Sequence, residues 1–419
     1  MRVLAISDGE HYAPVVRDAL AALPHQVVAL WLAGGTEKLR RGEDYGVPVV
    51  DSLEGAIAEL EPELVLDLSD EPVVGPRERL RLASRVLALG LPYVGPDFRF
   101  DPPPLAPFPL PSLSIVGTGK RVGKTAVTGH VARLLALDRD VVVVAMGRGG
   151  PPEPEVVEVE PTLDRLLELS RAGRHAASDY LETAALAGVV TIGCRRCGGG
   201  LAGAPGESNV LAGAALAAER GPELVIFDGS GAAIPPVETD ARVLVTSPRQ
   251  GQEVVTGYLN AYRILVSDLV VVTGGLDEEL VQAIHHVKEV PVVSVELRPR
   301  PVAPVLGRRV AFFTTAPPDA HKAIERYLRE ELGAEVVLVS GNLARREALR
   351  EDLKRAGDAE VYVVEIKAAA IDVVAEAAAE RAVEVVFADN ELVPVGVLDL
   401  DTELIRLADQ ALAREAVAP

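Results

Sequence analysis

The chain has 419 residues, room for two or three domains, and 48% of it is hydrophobic, with only 4% aromatic. A formal net charge of −20 argues against nucleic acid or anionic membranes as partners, since both need a basic face, so an anionic ligand must be met by a local basic cluster. No apolar run approaches the roughly 20 residues that cross a bilayer, no export signal opens the chain, and there are two cysteines, which together lead us to expect a cytoplasmic protein.

Residues 1 to about 100 read as a small α/β unit. An apolar run at 3–6 is a buried strand, followed by a polar loop carrying Asp8, Glu10 and His11. Pro14 suits the first turn of a helix running to about Ala22. Further strands are expected at 27–31, 64–68 and 92–95, and strand–helix alternation implies a parallel sheet. Residues 101–111 hold six prolines after Asp101, a composition that makes a stiff extended linker.

From 112 to 300 the alternation resumes. Strands are expected at 113–117, 141–146, 188–193, 223–228, 242–247, 269–273 and 291–296. They are mostly Val, Ile and Leu runs, as suits a parallel sheet covered on both faces. Helices are expected at 124–136, 162–172, 178–187, 208–220 and 250–263. Pro299, Pro301 and Pro304 mark a second hinge. A third α/β unit, 305–419, is expected to have strands at 310–313, 335–339, 360–365 and 384–388, with helices at 318–332, 343–356 and 370–380. The expected fold is therefore α/β: three α/β units with mainly parallel sheets, the central one a P-loop NTPase domain.

That central assignment rests on residues 114–125. A strand leads into Gly117-Thr118-Gly119-Lys120-Arg121-Val122-Gly123-Lys124-Thr125, and a helix begins. Backbone N–H groups of such a loop and of the helix start point at a phosphate anion. Lys124 would reach the β- and γ-phosphates, and the Thr125 hydroxyl would ligate Mg²⁺. The contacts expected for nucleotide run from Gly117 through Ala126. The usual G-x-x-x-x-G-K-[ST] pattern would place glycine at 118, where this chain has threonine. The lengthened loop resembles that of dethiobiotin synthetase. The bland alternative is a glycine-rich strand-to-helix turn with an exposed lysine.

Residues 225–231 are an apolar strand ending Asp228-Gly-Ser-Gly231. In a P-loop fold this aspartate holds Mg²⁺, directly or through water, and the glycine can approach a γ-phosphate; an ordinary strand-end turn is the alternative. No Asn-Lys-x-Asp follows, so ATP is expected rather than GTP. Lys120, inside the loop, could stabilise charge between nucleotide and acceptor, or be a solvated lysine. Arg148 lies between glycines at the next strand end, where open parallel sheets bind ligands. Its planar fork suits a phosphate or carboxylate. Arg195 and Arg196 precede a glycine run and suit a multiply anionic ligand. Cys194 and Cys197 flank them, but zinc needs four ligands and no second cysteine pair exists, so ordinary thiols are favoured. Asp179 and Glu182 are candidates for substrate binding, with His175 and Ser178 nearby; a capped, solvated helix start is the alternative.

Several segments together resemble cyclic 2,3-diphosphoglycerate synthetase across essentially the full length. They are Ile6-Ser-Asp-Gly-Glu-His-Tyr12, the Gly117 to Thr125 loop, Met146-Gly-Arg-Gly-Gly150, Asp179-Tyr-Leu-Glu182, Arg196-Cys-Gly-Gly-Gly200, Phe227-Asp-Gly-Ser-Gly231, Phe312-Phe-Thr-Thr-Ala-Pro317 and Ile366-Lys-Ala-Ala-Ala-Ile371. The resemblance implies ATP-dependent ring closure of 2,3-diphosphoglycerate, releasing ADP and phosphate, with Mg²⁺ and with a K⁺ requirement left open. Lys120, Lys124 and Asp228 are then expected in catalysis, Arg148, Arg195, Arg196, Asp179 and Glu182 around the substrate, and Thr125 and Asp228 on the metal. Competing readings are a dethiobiotin-synthetase-like ligase for another small acid and a nucleotide-dependent switch. A homodimer is expected by analogy with this P-loop class. Scarce Asn, Gln, Met and Cys with plentiful Pro, Arg and Glu are compatible with a thermophile, while the acidic bias also suits salt tolerance.

Overall fold

A computed structural model describes residues 1–39, 42–158, 162, 165, 168–169, 172, 179–366 and 371–415. Most of the expected helix over 162–172, together with His175, Ser178 and most of the 366–371 segment, lies outside the described residues. The chain divides into two compact units.

The first unit comprises Met1–Pro104, Gln250–Ser267 and Glu279–Glu289. Its strands are β1 (Arg2–Ser7), β2 (Gln26–Leu32), β3 (Val49–Val50), β4 (Leu64–Asp67), β5 (Tyr93–Val94) and β6 (Arg99–Phe100). They lie in the order β3-β2-β1-β4-β5-β6, parallel except for β6 on β5. Helices α1 (Ala13–Ala22), α2 (Leu53–Leu60) and α3 (Pro76–Ala88) make the crossovers. Ser52 caps α2 by accepting from Gly55 N. Apolar residues at helical spacing, Ala13, Val16 and Leu20, close on Ala5 and Leu30 of the sheet. At the end of β1, Asp8 accepts from the backbone N–H groups of Glu10, His11 and Asp70, so the polar loop is a folded turn. The single helix expected over 250–263 is two short ones, Gln252–Thr256 and Asn260–Leu265. Tyr258 between them has φ +48°, and a Cβ on Gly257 would lie 2.4 Å from Glu253 O.

The second unit holds Leu105–Arg249, Asp268–Glu278 and Val290–Pro419. Its strands are β7 (Ser112–Gly117), β8 (Val141–Gly147), β9 (Glu155–Val157), β10 (Val190–Cys197), β11 (Glu207–Ser208), β12 (Leu224–Asp228), β13 (Ala241–Thr246), β14 (Leu269–Thr273), β15 (Val292–Pro301), β16 (Arg309–Phe313), β17 (Glu335–Ser340), β18 (Val361–Glu365) and β19 (Glu384–Pro394). All thirteen join one sheet, in the order β11-β10-β8-β12-β7-β13-β14-β15-β19-β18-β16-β17, with β9 on β10. Helices α4 (Lys124–Leu135), α5 (Asp179–Ala187) and α6 (Val210–Arg220) flank its first half. Ala126, Val127, Val131 and Leu135 of α4 pack on Ile115, Val143, Ile226 and Val243. Val210, Ala214 and Ala217 of α6 cover Val142, Val144 and Phe227 on the other face. Central strands buried on both faces explain the continuous apolar runs of the sequence.

Two local expectations change. The Cys194–Cys197 loop is the end of β10, paired in parallel with β8 through Arg195↔Gly147. The hinge expected around Pro299 is strand: β15 pairs antiparallel with β19 from Val295↔Pro394 to Pro301↔Ala388. Val302 N donates to Phe387 O, which sets the alternation and turns Pro299 and Pro301 away from β19. β14 pairs with β15 only up to Val295, so their missing N–H groups fall on an open edge and cost no ladder bond.

Candidate functional site

The loop after β7 is held from below. Gly117 N donates to Gly231 O at 3.2 Å, and a Cβ on Gly117 would lie 2.7 Å from that oxygen. Only glycine lets these two loops touch. Thr118, where the usual pattern has glycine, is buried. Its N donates to Val245 O at 3.0 Å and its hydroxyl donates to Thr246 Oγ1 at 2.9 Å, so the departure ties the loop to β13. Gly123 has φ +81°, and a Cβ there would meet Thr273 Cγ2 at 2.9 Å. Thr273 Oγ1 donates to Val122 O at 2.9 Å. Val122 and Ala126 are buried, Gly119 and Thr125 half-buried, and Lys120 and Arg121 exposed. No side chain caps α4, which leaves the first-turn N–H groups to an anion.

Below this loop lies a buried charge cluster. Lys124 Nζ donates to Asp228 Oδ1 at 2.5 Å, and Thr128 Oγ1 donates to the same oxygen at 2.6 Å. Asp228 is fully buried, and its Oδ2 has no hydrogen-bond partner. Burial pushes the Asp228 carboxyl above the usual carboxylate range, against the pull of Lys124 and with a further push from Asp179. Thr128 was not picked out in the sequence; its place four residues after Lys124, on the same helix face, is the signal that could have found it.

Gly231 marks where separate loops converge. An ideal Cβ there would lie 3.3 Å from Arg148 Nη2, 3.9 Å from Arg196 Nη2 and 3.9 Å from Lys120 Cγ. Asp179 Oδ2 lies 3.9 Å from the corresponding Cβ position of Gly147. Lys120, Arg148 and Arg196, distant in sequence, are thus gathered at Gly231, on the loop that follows Asp228, and Asp179 lies near Gly147. Arg196 is 9% exposed; it donates to Gly198 O and, at 2.8 Å, to Ser230 O, while its buried Nε has no partner. Burial and the neighbouring Arg148 favour its neutral form more than usual. It fastens the Asp228–Gly231 loop. Arg148 is exposed. Arg195 is exposed as well; its N donates to Asn209 Oδ1 at 2.7 Å, and its side chain joins none of these contacts. Glu182 is buried in α5. Cys194 is buried and Cys197 exposed.

A divalent cation fits this donor set. The orphaned Oδ2 of Asp228 and the Thr125 hydroxyl are hard oxygen donors of the kind Mg²⁺ takes with substrate phosphates. Among the described residues no cluster of three His, Cys, Asp or Glu side chains could hold a metal ion. No helix among them is long and apolar enough to cross a membrane.

Three family models match the chain in succession. They are the N-terminal domain of cyclic 2,3-diphosphoglycerate synthetase over 2–101, its P-loop domain over 112–300 and its C-terminal domain over 301–391. This chain belongs to the cyclic 2,3-diphosphoglycerate synthetase family. Curated proteins of that name include one from Rubrobacter xylanophilus, 52% identical over 98% of both chains. Another, from Thermococcus kodakarensis, is 44% identical over 99% of this chain and 100% of its own. A third, from Methanothermus fervidus, is 38% identical over 98% of this chain and 97% of its own. The α/β class, the mainly parallel sheets and the P-loop domain expected of a cyclic 2,3-diphosphoglycerate synthetase are all present, and the family makes the chain an ATP-dependent synthetase.

Proposed function

We propose that this chain closes 2,3-diphosphoglycerate into its cyclic 2,3-phosphoanhydride at the expense of ATP, releasing ADP and phosphate. The observation that carries the reading is the gathering of Lys120, Arg148 and Arg196 around Gly231, beside the Lys124–Asp228 pair. A nucleotide phosphate chain on the loop would thus meet a cationic acceptor site in an otherwise acidic protein.

In the proposed sequence, an oxygen of one substrate phosphate attacks the γ-phosphorus, the β–γ bond breaks, and ADP leaves. An oxygen of the second substrate phosphate then attacks the first, now activated, and expels inorganic phosphate. Lys124 swings from Asp228 to the β- and γ-phosphates, and the backbone N–H groups from Gly119 to Thr125 hold them. Lys120 and Arg148 screen the two substrate phosphates from each other. Arg196 orients the loop that brings Gly231 to the transferring group. Holding both phosphates side by side supplies the effective molarity that ring closure needs. Asp228 and Thr125 are the residues to hold Mg²⁺, which would neutralise charge on the phosphates. Asp179 and Glu182 are assigned to the substrate side, Asp179 by its nearness to Gly147. Arg195 would reach the substrate only through rearrangement.

We further assign residues 1–100, 112–300 and 305–419 as three successive domains, the first two joined by the 101–111 linker and the last two sharing the thirteen-stranded sheet. A cytoplasmic homodimer completes the reading, and light scattering of the purified protein checks the stoichiometry. The decisive experiment is ³¹P NMR with Mg-ATP and 2,3-diphosphoglycerate. Loss of the two monoester signals, with a coupled anhydride pair and free phosphate appearing in step with ADP, is expected. Equal ATP hydrolysis with and without the acceptor, and no anhydride, would overturn the proposal.

A further inference from the structure

Asp228 carries two hydrogen-bond donors on one oxygen and none on the other. Lys124 Nζ and Thr128 Oγ1 both reach Oδ1, at 2.5 and 2.6 Å, and Oδ2 is buried and unpartnered. Both donors come from one face of α4, four residues apart. A carboxylate on a strand end can rotate about its terminal bond, whose torsion is broad and two-fold. Something must fix that torsion if one oxygen is to be kept for a ligand. In the reading above, Lys124 leaves Asp228 when nucleotide phosphates arrive. Thr128 then remains the donor that holds Oδ1. It is 0% exposed, so water has no ready access to take its place.

We infer that Thr128 is a positioning residue for divalent-cation binding: its hydroxyl pins Oδ1 of Asp228 and keeps Oδ2 as the oxygen offered to the metal. Hydrogen bonds that orient a metal-ligating carboxylate typically carry 10–100-fold in metal affinity. The inference rests on the assignment of Asp228 to the metal, and the test separates the two.

The measurement is the affinity of a non-hydrolysable ATP analogue, once with Mg²⁺ and once with EDTA, for the wild type and for Thr128→Val, Thr128→Ser and Asp228→Asn. Valine keeps the shape of threonine and removes the hydroxyl. It is expected to cut the Mg²⁺-dependent gain in affinity by roughly tenfold, with the affinity in EDTA within about twofold of wild type. Serine restores the hydroxyl and is expected to restore the gain. A merely structural role would move both affinities together. Thr128→Ala serves the same comparison if valine compromises folding, as judged by thermal unfolding. If valine and alanine keep the full Mg²⁺ gain while Asp228→Asn loses it, the role of Thr128 is refuted and the metal assignment stands. If Asp228→Asn also keeps the gain, both fall. If serine behaves like valine, the hydroxyl is not the cause and the inference is wrong.

Discussion

The Lys124 ammonium and the Asp228 carboxylate meet at 2.5 Å with side chains 9% and 0% exposed. In the proposed mechanism, the residue that grips the nucleotide therefore rests on the one that holds its metal. Burying either charge alone is costly, and each offsets the other until the ligand arrives.

Removing one partner should expose that dependence. Lys124→Ala is expected to abolish anhydride formation and to lower stability at neutral pH by about 3 kcal/mol, the cost of leaving a buried charge unpaired. A carboxyl whose folded pKa lies above its unfolded value near 3.8 binds more protons when folded. Its burial therefore costs most above the folded pKa, and the cost shrinks as pH falls toward the unfolded value. The defect of Lys124→Ala should accordingly be smaller in acid than at neutral pH. Urea unfolding at two pH values checks this.

The same upward shift bears on metal use. Burial first, and Asp179 after it, favour protonation of Asp228, and a protonated carboxyl is a poor Mg²⁺ ligand. The Mg²⁺ concentration for half-maximal activity is expected to rise as pH falls, starting at a higher pH than an ordinary aspartate would allow. A pH-independent Mg²⁺ requirement down to the ordinary carboxylate range would contradict the assignment.

Arg148 and Arg196 should separate cleanly. Arg148 is exposed, so Arg148→Ala is expected to change stability by less than about 0.5 kcal/mol while raising the KM for the diphosphate substrate at least tenfold. Arg196 bridges Gly198 O and Ser230 O. Its replacement by alanine should lower Tm and reduce kcat, because the Asp228–Gly231 loop loses its fastening. Steady-state kinetics beside thermal unfolding distinguish the two.

Gly117 is a steric test. An added methyl would stand 2.7 Å from Gly231 O, a backbone atom. Gly117→Ala should push the two loops apart, costing about 1–3 kcal/mol and much of the activity. Wild-type activity in that variant would show that the contact between the loops is dispensable.

The thiols differ in reach. Burial pushes Cys194 up to about 12, and Cys197 is exposed. One thiol is expected to react with a disulfide reagent in the folded protein at pH 8 and two after unfolding. Reaction of both in the folded state would argue for an open Cys194.

Much of the architecture was legible because buried parallel strands are written as unbroken Val, Ile and Leu runs, as in β8, β12 and β14. The Gly117–Thr125 loop was legible because a strand, a glycine turn, Lys-Thr and a helix follow one another locally. Local signals misled where a distant partner changed the meaning of a residue. Pro299 and Pro301 read as a hinge, and only pairing with β19 makes them an open strand edge. Thr118 read as a mismatch until Thr246 gave its hydroxyl a partner. Arg195 and Arg196 looked alike, since adjacent residues of a strand share a sequence context but point to opposite faces; the fold buries Arg196 and exposes Arg195. The sequence by itself determined most of the succession of long elements and the strand, glycine turn and helix of the phosphate loop, because these depend on neighbours along the chain. The tertiary structure alone decided that Thr128 and Lys124 share one oxygen of Asp228 and that Lys120, Arg148 and Arg196 gather at Gly231. Those relations join residues up to about a hundred positions apart, and only the packing of the sheet brings them together.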